Sequence, residues 1–308
     1  MAERCAIGLD VGGTKISAGL VDSHGRVLHT LRLPTPVDDG PAGIFRAMRA
    51  LIDRLIARTD GRELVGIGLG MPGLIDRARG ISVQSPNTGW RNVPILAEFA
   101  DYGLPLELEN DTRCHAVGEL HFGAGRGVDH FVLLTLGTGI GSGVVLNGQL
   151  FQGGSGRPGE IGHVTVEPEG PLCGCGKRGC LEAVAGGKAV GRRAQALGIA
   201  ADSRELFALA ASGDERATAL VDRVAWELGL GISYMINLFN PQRVIIGGGM
   251  AEAGEVLIAP VHRYARELTM PGIRETYEIV PAALHEEAGV VGAAALLPGL
   301  TAMQRKGA

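Results

Sequence analysis

A nine-residue pattern that occurs twice, 124 residues apart, constrains the fold of this chain more than any other feature. Gly13-Thr14-Lys15-Ile16-Ser17-Ala18-Gly19-Leu20-Val21 matches Gly137-Thr138-Gly139-Ile140-Gly141-Ser142-Gly143-Val144-Val145. Each copy follows an apolar run, Cys5 to Leu9 or Phe131 to Leu136, and precedes a turn, Ser23-His24-Gly25 or Asn147-Gly148. Apolar stretches punctuated by such turns predict strand, hairpin, strand, turn, strand in each copy. The offset is too long for a solenoid unit. It fits a chain of two similar α/β halves, each opening with a β-meander. The competing reading is a chance likeness between two glycine-rich hairpins.

Composition narrows the function classes. A chain of 308 residues is long for one core and typical of two packed domains. With 45% apolar and 20% charged residues, usage is that of an ordinary globular protein. The net charge of −4 argues against a nucleic-acid surface, and the excess of Arg over Lys, 25 to 4, is scattered rather than clustered. No apolar run approaches the roughly 18 residues that would span a bilayer. Glu3, Arg4 and Asp10 stand where a signal peptide would be basic and then apolar, so a cytoplasmic protein is expected.

The two hairpins suggest what the halves do. A Gly/Thr turn exposes consecutive backbone N–H groups and a hydroxyl, and such concavities bind phosphate oxygens. In sequence, Asp10 precedes Gly12-Gly13-Thr14-Lys15, whereas no acid accompanies Gly137-Thr138-Gly139. One hairpin with an acid and one without suits ATP with Mg2+, the acid orienting the waters that the ion usually keeps. A third cluster, Gly247-Gly248-Gly249, ends the apolar run Val244 to Ile246 and could lie flat against adenine or ribose. Two other phosphate motifs are excluded. No Gly-Lys is followed by Ser or Thr, as a Walker loop requires. Gly68-Leu-Gly70-Met-Pro-Gly73 lacks both a following helix and the ribose-binding acid about twenty residues on, and reads as a strand end and turn near a ligand.

Between Gly159 and Glu182 lies the second concentrated signal: Glu160, His163, Cys173, Cys175, Cys180 and Glu182. One imidazole and three thiols match the Cys3His set of structural zinc sites. Cys173-Gly-Cys-Gly-x-x-Gly-Cys180 needs its glycines for a sharp fold around an ion. Incidental cysteines are the alternative, and disulfides fit poorly, since the cysteine total is five and nothing else suggests secretion.

Asp111 is the candidate catalytic base. Leu106 to Leu108 reads as a strand and Thr112 to Phe122 as a helix with Ala116, Val117 and Leu120 on one face. Glu109-Asn110-Asp111 therefore lies at a strand-to-helix junction, where side chains project into clefts of α/β folds. An Asp there can take the proton of a hydroxyl that attacks a γ-phosphoryl group. An Asp before a helix can equally be only an N-cap.

Taken in order, Asp10-x-Gly-Gly-Thr-Lys15, Glu109-Asn-Asp111, Leu136-Gly-Thr-Gly139, Gly159-Glu-Ile-Gly-His163, the cysteine segment to Glu182, Gly247-Gly-Gly249 and Gly289 to Ala295 resemble the ROK family of repressors, open reading frames and kinases. The resemblance spans nearly the whole chain. It implies an actin-like ATPase fold of the hexokinase, ribonuclease H-like type, with two α/β domains around a sugar/ATP cleft, each on a mixed βββαβαβ core. The N-terminal domain would be residues 1–111 joined by a last helix of about 290–308, and the C-terminal domain 112–289 would carry the zinc segment. It also implies Asp111 as base and Asn110, Glu160, His163 and Glu182 on sugar hydroxyls, with one ring nitrogen of His163 on zinc and the other toward the sugar. Gly70 and Asn87 resemble positions lining the same pocket. The family's dimers and tetramers suggest a homodimer or homotetramer, and Val221 to Phe239 is either an interface helix or core.

Two departures stand out: Thr112-Arg113-Cys114-His115 where the family often has Ala-Asn-Ala-Ala, and Ser142 where Gly is frequent. Three classes of function remain: an ATP-dependent sugar kinase, a sugar-responsive transcriptional regulator, and a zinc-stabilised sugar-binding module without catalysis. The first strand begins by Ile7, leaving no room ahead of it for a DNA-binding region, and both Asp10 and Asp111 are retained. These features favour the kinase. Pro86-Asn87-Thr88-Gly89-Trp90-Arg91-Asn92-Val93-Pro94 resembles the Pro-Asn-x-x-Trp-Arg-x-x-Pro stretch of the family's bacterial glucokinases, which favours D-glucose. N-acetylmannosamine, N-acetylglucosamine and fructose are the alternative acceptors, and polyphosphate the alternative donor.

Overall fold

The computed structural model describes residues 3–86 and 88–301. Packing divides the chain into two compact units, Met1–Gly127 with Gly148–Pro158 and Ala283–Ala308, and Val128–Asn147 with Gly159–Ala282.

The first unit begins with the expected meander. Strands β1 (Arg4–Val11), β2 (Lys15–Asp22) and β3 (Val27–Pro34) run antiparallel. Helix α1 (Gly40–Ile56) leads to β4 (Glu63–Met71), which pairs parallel with β1. The crossover after β4 contains no α-helix among its described residues. It holds a separate sheet of β5 (Leu74–Asp76), β6 (Ile81–Ser85) and β7 (Trp90–Pro94), followed by a 3-10 helix, Leu96–Tyr102. Strand β8 (Leu106–Asn110) then pairs parallel with β4, giving the order β3-β2-β1-β4-β8, and α2 (Asp111–Phe122) follows directly.

Strand alternation decides which side chains meet which helix. Ile7, Leu9 and Val11 face α1, whose Ile44, Met48, Leu51, Ile52 and Leu55 recur at helical spacing and are fully buried. Ala6 lies on the opposite face, packed with Val290, Val291 and Ala294 of a late helix, α8 (Ala288–Ala295). That helix rests directly on the sheet because Gly8 and Gly68 are paired in register. A Cβ at Gly8 would lie 2.0 Å from the Val290 carbonyl oxygen, and one at Gly68 would lie 1.8 Å from that of Ala293. Asp10 continues the Ala6-Gly8 face, so alternation carries it to the start of α8. Helix α2 packs against α8 too, which is why the break in packing follows Gly127 rather than Asp111. Residues 302–308 of the expected last helix lie outside the described residues.

The second unit repeats the plan. Strands β9 (Phe131–Leu136) and β10 (Ile140–Leu146) form the hairpin, and the turn at Asn147-Gly148, both with positive φ, leads to β11 (Gln149–Leu150), which the packing division counts with the first unit. After α3 (Leu181–Ala185), α4 (Gly187–Ala196), α5 (Ser203–Ala211) and α6 (Glu215–Phe239) comes β12 (Arg243–Gly247), parallel to β9. Helix α7 (Glu255–Leu268) connects to β13 (Glu278–Pro281), parallel to β12. The order β10-β9-β12-β13 reproduces β2-β1-β4-β8. The sequence repeat is thus a structural repeat. Helix α6 is capped by the Asp214 carboxylate on the Ala217 amide at 2.8 Å and buries Leu220, Val221, Val224, Leu228, Ile232 and Ile236 in the core. Its apolar run therefore has a core role.

Among the described residues no helix is long and apolar enough to cross a membrane.

Candidate functional site

In the first unit the candidate residues gather at the carboxyl ends of three parallel strands. Asp10 of β1 is in register with Gly70 of β4, and Gly70 and Met71 with Glu109 and Asn110 of β8. Open α/β sheets bind ligands at this edge. Asp10 lies against Gly289, where a Cβ would come within 2.4 Å of its carboxylate. Burial raises the Asp10 carboxyl above its ordinary range, an effect that His115 and Lys15 oppose. His115, in turn, is held below its ordinary value by burial, despite the opposing pull of Asp10 and Glu119. Cys114 sits between Glu109, Asp10 and Asp111, and burial with those three carboxylates pushes its thiol far up, which keeps it neutral.

Asn110, not Asp111, is the N-cap of α2. Its Oδ1 accepts from the Arg113 amide at 3.2 Å, while its Nδ2 donates to the Gly73 carbonyl at 3.2 Å. Asp111 is the first helical residue, and its Oδ1 accepts from the Thr112 amide at 2.8 Å. The capping requirement of this helix is met without the Asp111 carboxylate. Gly73, which has positive φ, packs on Ser85 at the end of β6, so the segment that resembles the glucokinase stretch begins beside Asn110. Asn87 lies outside the described residues.

Arg113 is only 4% exposed and turns inward. Its guanidinium meets the buried Glu109 carboxylate at 3.3 Å and donates to the Gly156 carbonyl and the Gln152 Oε1, each at 2.5 Å. It thereby fixes the loop that leads into Gly159 and Glu160. Nothing in the residue pattern distinguished this arginine from a solvated one.

Both hairpins carry free backbone donors. In the first, the Gly12 amide donates to the Lys15 carbonyl at 2.9 Å, and Thr35 braces the turn through the carbonyls of Gly12 and Thr14. In the second, the Gly137 amide donates to the Gly139 carbonyl at 3.0 Å. Among the described residues the amides of Gly13 and Thr14, and those of Thr138 and Gly139, meet no acceptor. Paired N–H groups of this kind suit anions. The second hairpin does have an acid, which its sequence neighbours did not reveal. Glu182 of α3 accepts from the Ile140 amide at 3.0 Å, and a Cβ on Gly139 would stand 2.2 Å from its Oε2.

The Cys3His set assembles. Ligand atoms of His163, Cys173, Cys175 and Cys180 all lie within 4.8 Å of one another, and every cysteine is a free thiol. Cys173 Sγ is 3.6 Å from His163 Nδ1, and Cys175 Sγ is 3.6 Å from Cys180 Sγ. Such separations suit one tetrahedral ion with Zn–S bonds of about 2.3 Å. Gly179 has positive φ and no room for a Cβ, which would fall 1.5 Å from the Glu167 carbonyl, so only glycine permits the chain reversal before Cys180. Cys180 is the residue before α3, and the Leu181 amide donates to the Val164 carbonyl at 2.9 Å. The cluster therefore couples the turn that bears His163 to the helix that bears Glu182. Ser142 contributes as well, donating its buried hydroxyl to the Gly159 carbonyl next to Glu160.

A cavity of about 980 Å³ opens beside the second hairpin. Gly137, Thr138 and Gly249 line it together with residues of α4 and α5, among them Lys188 and Phe207. Gly247 ends β12 next to it and Gly248 follows, with positive φ against Leu136. The α4 and α5 contributors were not foreseen, because isolated charged residues on a helix read as solvated.

The family model described as ROK family matches residues 6–299. A glucokinase of Thermotoga maritima is 42% identical over 308 residues, covering 94% of this chain and 96% of that protein. An N-acetylmannosamine kinase of Citrobacter koseri is 34% identical, covering 95% and 98%. The crystal structure of a ROK family glucokinase from Streptomyces griseus, in complex with glucose and AMPPNP, superposes with a TM-score of 0.82 at 35% identity and covers 96% of this chain and 99% of that one. The fold is accordingly the actin-like, hexokinase-type one.

Proposed function

The chain belongs to the ROK family, and from that premise we propose that it is an ATP-dependent hexose kinase converting D-glucose to glucose 6-phosphate. The observation that carries this reading is the 42% identity to a glucokinase over nearly the whole chain, joined to the Asp111 carboxylate at the edge of the sheet. Asp111 takes the proton of the sugar 6-hydroxyl as that oxygen attacks the γ-phosphorus and ADP leaves. Such a reaction needs chiefly positioning and charge stabilisation. Asn110 of the first unit, with Asn87, and Glu160, His163 and Glu182 of the second are the residues that the family pattern assigns to sugar hydroxyls. The amides of the two hairpins hold the phosphates, and Gly247 to Gly249 adjoin the nucleoside.

Two ions fit the residues present. Asp10 suits the magnesium of Mg-ATP, since a cation beside it would offset the burial that raises its carboxyl, while Gly12, Gly13, Thr14 and Lys15 suit the phosphates. Magnesium supplies neutralisation of phosphate charge when bound. His163, Cys173, Cys175 and Cys180 would hold zinc in a closed four-ligand site, which is structural rather than Lewis-acid chemistry.

The test is kcat/KM with Mg-ATP for D-glucose, N-acetylmannosamine, N-acetylglucosamine and fructose, following ADP release. Glucose is expected to give the highest value, because a site that pairs buried polar groups with hydroxyls rejects analogues that leave one unpaired. A higher value for an N-acetyl sugar changes the acceptor and keeps the kinase. No phosphorylation of any of the four sinks the kinase reading.

A further inference from the structure

Helix α4 begins in an electrostatically unfavourable way. Lys188 is its second residue, where the helix dipole disfavours a cation, and its first turn contains no acid. Arg192 follows one turn later, so two like charges share one helix face, which is also mildly destabilising. Both side chains are exposed, and among the described residues neither has a hydrogen-bonding side-chain partner or an ion pair. Both line the cavity beside the second hairpin.

The backbone fixes where this charge stands. The Gly187 amide donates to the Gly137 carbonyl at 2.9 Å, and the Lys188 amide donates to the Thr138 carbonyl at 3.1 Å. Lys188 is therefore tied at its own main chain to the loop whose Thr138 and Gly139 amides have no acceptor. Two acids share the cavity lining, Asp202 and Glu252, and Asp202 is engaged in capping α5 through the Glu205 amide at 2.8 Å. The α5 wall presents Phe207 and Ala208, an apolar surface suited to a flat base. A ligand matching this cavity is anionic toward Lys188 and apolar toward Phe207.

We propose that Lys188, aided by Arg192, binds the phosphate chain of the nucleotide donor and sets the preference for a triphosphate over nucleotides with fewer phosphates. This rests on the nucleotide-donor reading given above and adds the residues that read donor charge. An anion there relieves both the unfavourable helix start and the like-charge pair, so affinity grows with phosphate number.

The experiment is calorimetric binding of Mg-ATP, Mg-ADP, AMP and adenosine to the full chain and to its Lys188→Gln and Lys188→Arg variants. Lys188→Gln is expected to weaken Mg-ATP about tenfold, the scale of one charge-assisted contact, and adenosine by less than about twofold. Lys188→Arg should restore most of the loss, and glucose affinity should stay at the wild-type value in both variants. Equal weakening of adenosine and Mg-ATP would mean a packing role and overturn the proposal, as would unchanged Mg-ATP affinity. A wild-type chain that binds no adenine nucleotide yet phosphorylates glucose from polyphosphate would overturn the donor reading itself, a result distinct from either.

Discussion

In the first hairpin the acid belongs to the strand: Asp10 lies on β1, its position set by sheet register and its burial by Gly289. In the second hairpin the acid arrives from elsewhere, Glu182 on α3, received by the Ile140 amide and by the absence of a side chain at Gly139. The two copies share strand order, hairpin and unengaged amides, yet they place charge by different means. A carboxylate within a strand is as secure as the sheet. An imported one is only as secure as whatever fixes its helix, and for α3 that is the Cys3His cluster with the Leu181–Val164 hydrogen bond. The halves should therefore fail differently under mutation and metal removal.

The largest effect expected is on the first half. Asp111→Asn should lower turnover by about 10²–10⁴, the usual contribution of a positioned base. Metal content and sugar affinity should remain near wild type, since the amide still hydrogen-bonds a hydroxyl and Asn110 still caps α2. Turnover above about a tenth of wild type would leave Asp111 no role as base.

The second half should yield to the metal. Cys175 is exposed, so Cys175→Ser opens no cavity, yet it removes one of the four side chains of the proposed zinc site. We expect loss of bound zinc by elemental analysis and at least about tenfold weaker glucose binding, because the coupling of His163 to Glu182 goes with the ion. A zinc-free chain with full glucose affinity would break the contrast between the halves.

A smaller effect compares the hairpins directly. Gly139→Ala pushes a methyl group against the Glu182 carboxylate, 2.2 Å away before relaxation, and should reduce kcat/KM about tenfold by moving Glu182 off the Ile140 amide. Gly12→Ala meets only the Lys15 carbonyl, at 3.2 Å, and should cost less. If Gly12→Ala is the more damaging of the two, Glu182 is not what makes Gly139 necessary.

Much of this contrast was legible beforehand, and the exceptions share a cause. The repeat foretold both meanders, since alternating apolar residues and Gly-Thr turns are local information. The Cys3His set was legible for the same reason, being compressed between His163 and Cys180. What stayed hidden depends on contacts across many residues. Glu182 reaches a hairpin 42 residues earlier, and Arg113 reaches Gly156, 43 residues on. The choice of Asn110 over Asp111 as the cap turns on one backbone angle, the extended ψ of 143° at Asn110, which neighbouring acids and amides do not reveal. The sheet β5-β6-β7 had no reading of its own in the sequence, because Ile81–Ser85 and Trp90–Pro94 are short strands whose pairing with each other defines them. Lys188 was illegible because a lysine on a helix ordinarily signifies only a solvated face.

The meander turns supply the smallest test. After β2, Asp22 organises the turn with its carboxylate: Oδ1 accepts from the amides of His24 and Arg26, both at 2.9 Å, and Oδ2 from Arg26 Nε at 2.7 Å. The corresponding turn of the second half has Asn147 and Gly148, both with positive φ, and no carboxylate in the turn itself. Burial alone would raise the Asp22 carboxyl, but the Arg26 and His24 amides and the Arg26 guanidinium outweigh it and hold the group below its ordinary value. A carboxyl depressed by folding contributes stability above its unfolded value, about 3.9, and loses that contribution as pH falls through its lower folded value. Asp22→Asn should thus be less stable than wild type by about 1–2 kcal/mol at pH 7, since Nδ2 cannot accept from Arg26. Urea unfolding of both proteins from pH 7 downward should show that gap closing below about pH 4, because protonated Asp22 resembles the amide. A gap that does not change with pH would assign the loss to turn geometry rather than to the carboxylate charge, and the two meander turns would then differ in sequence alone.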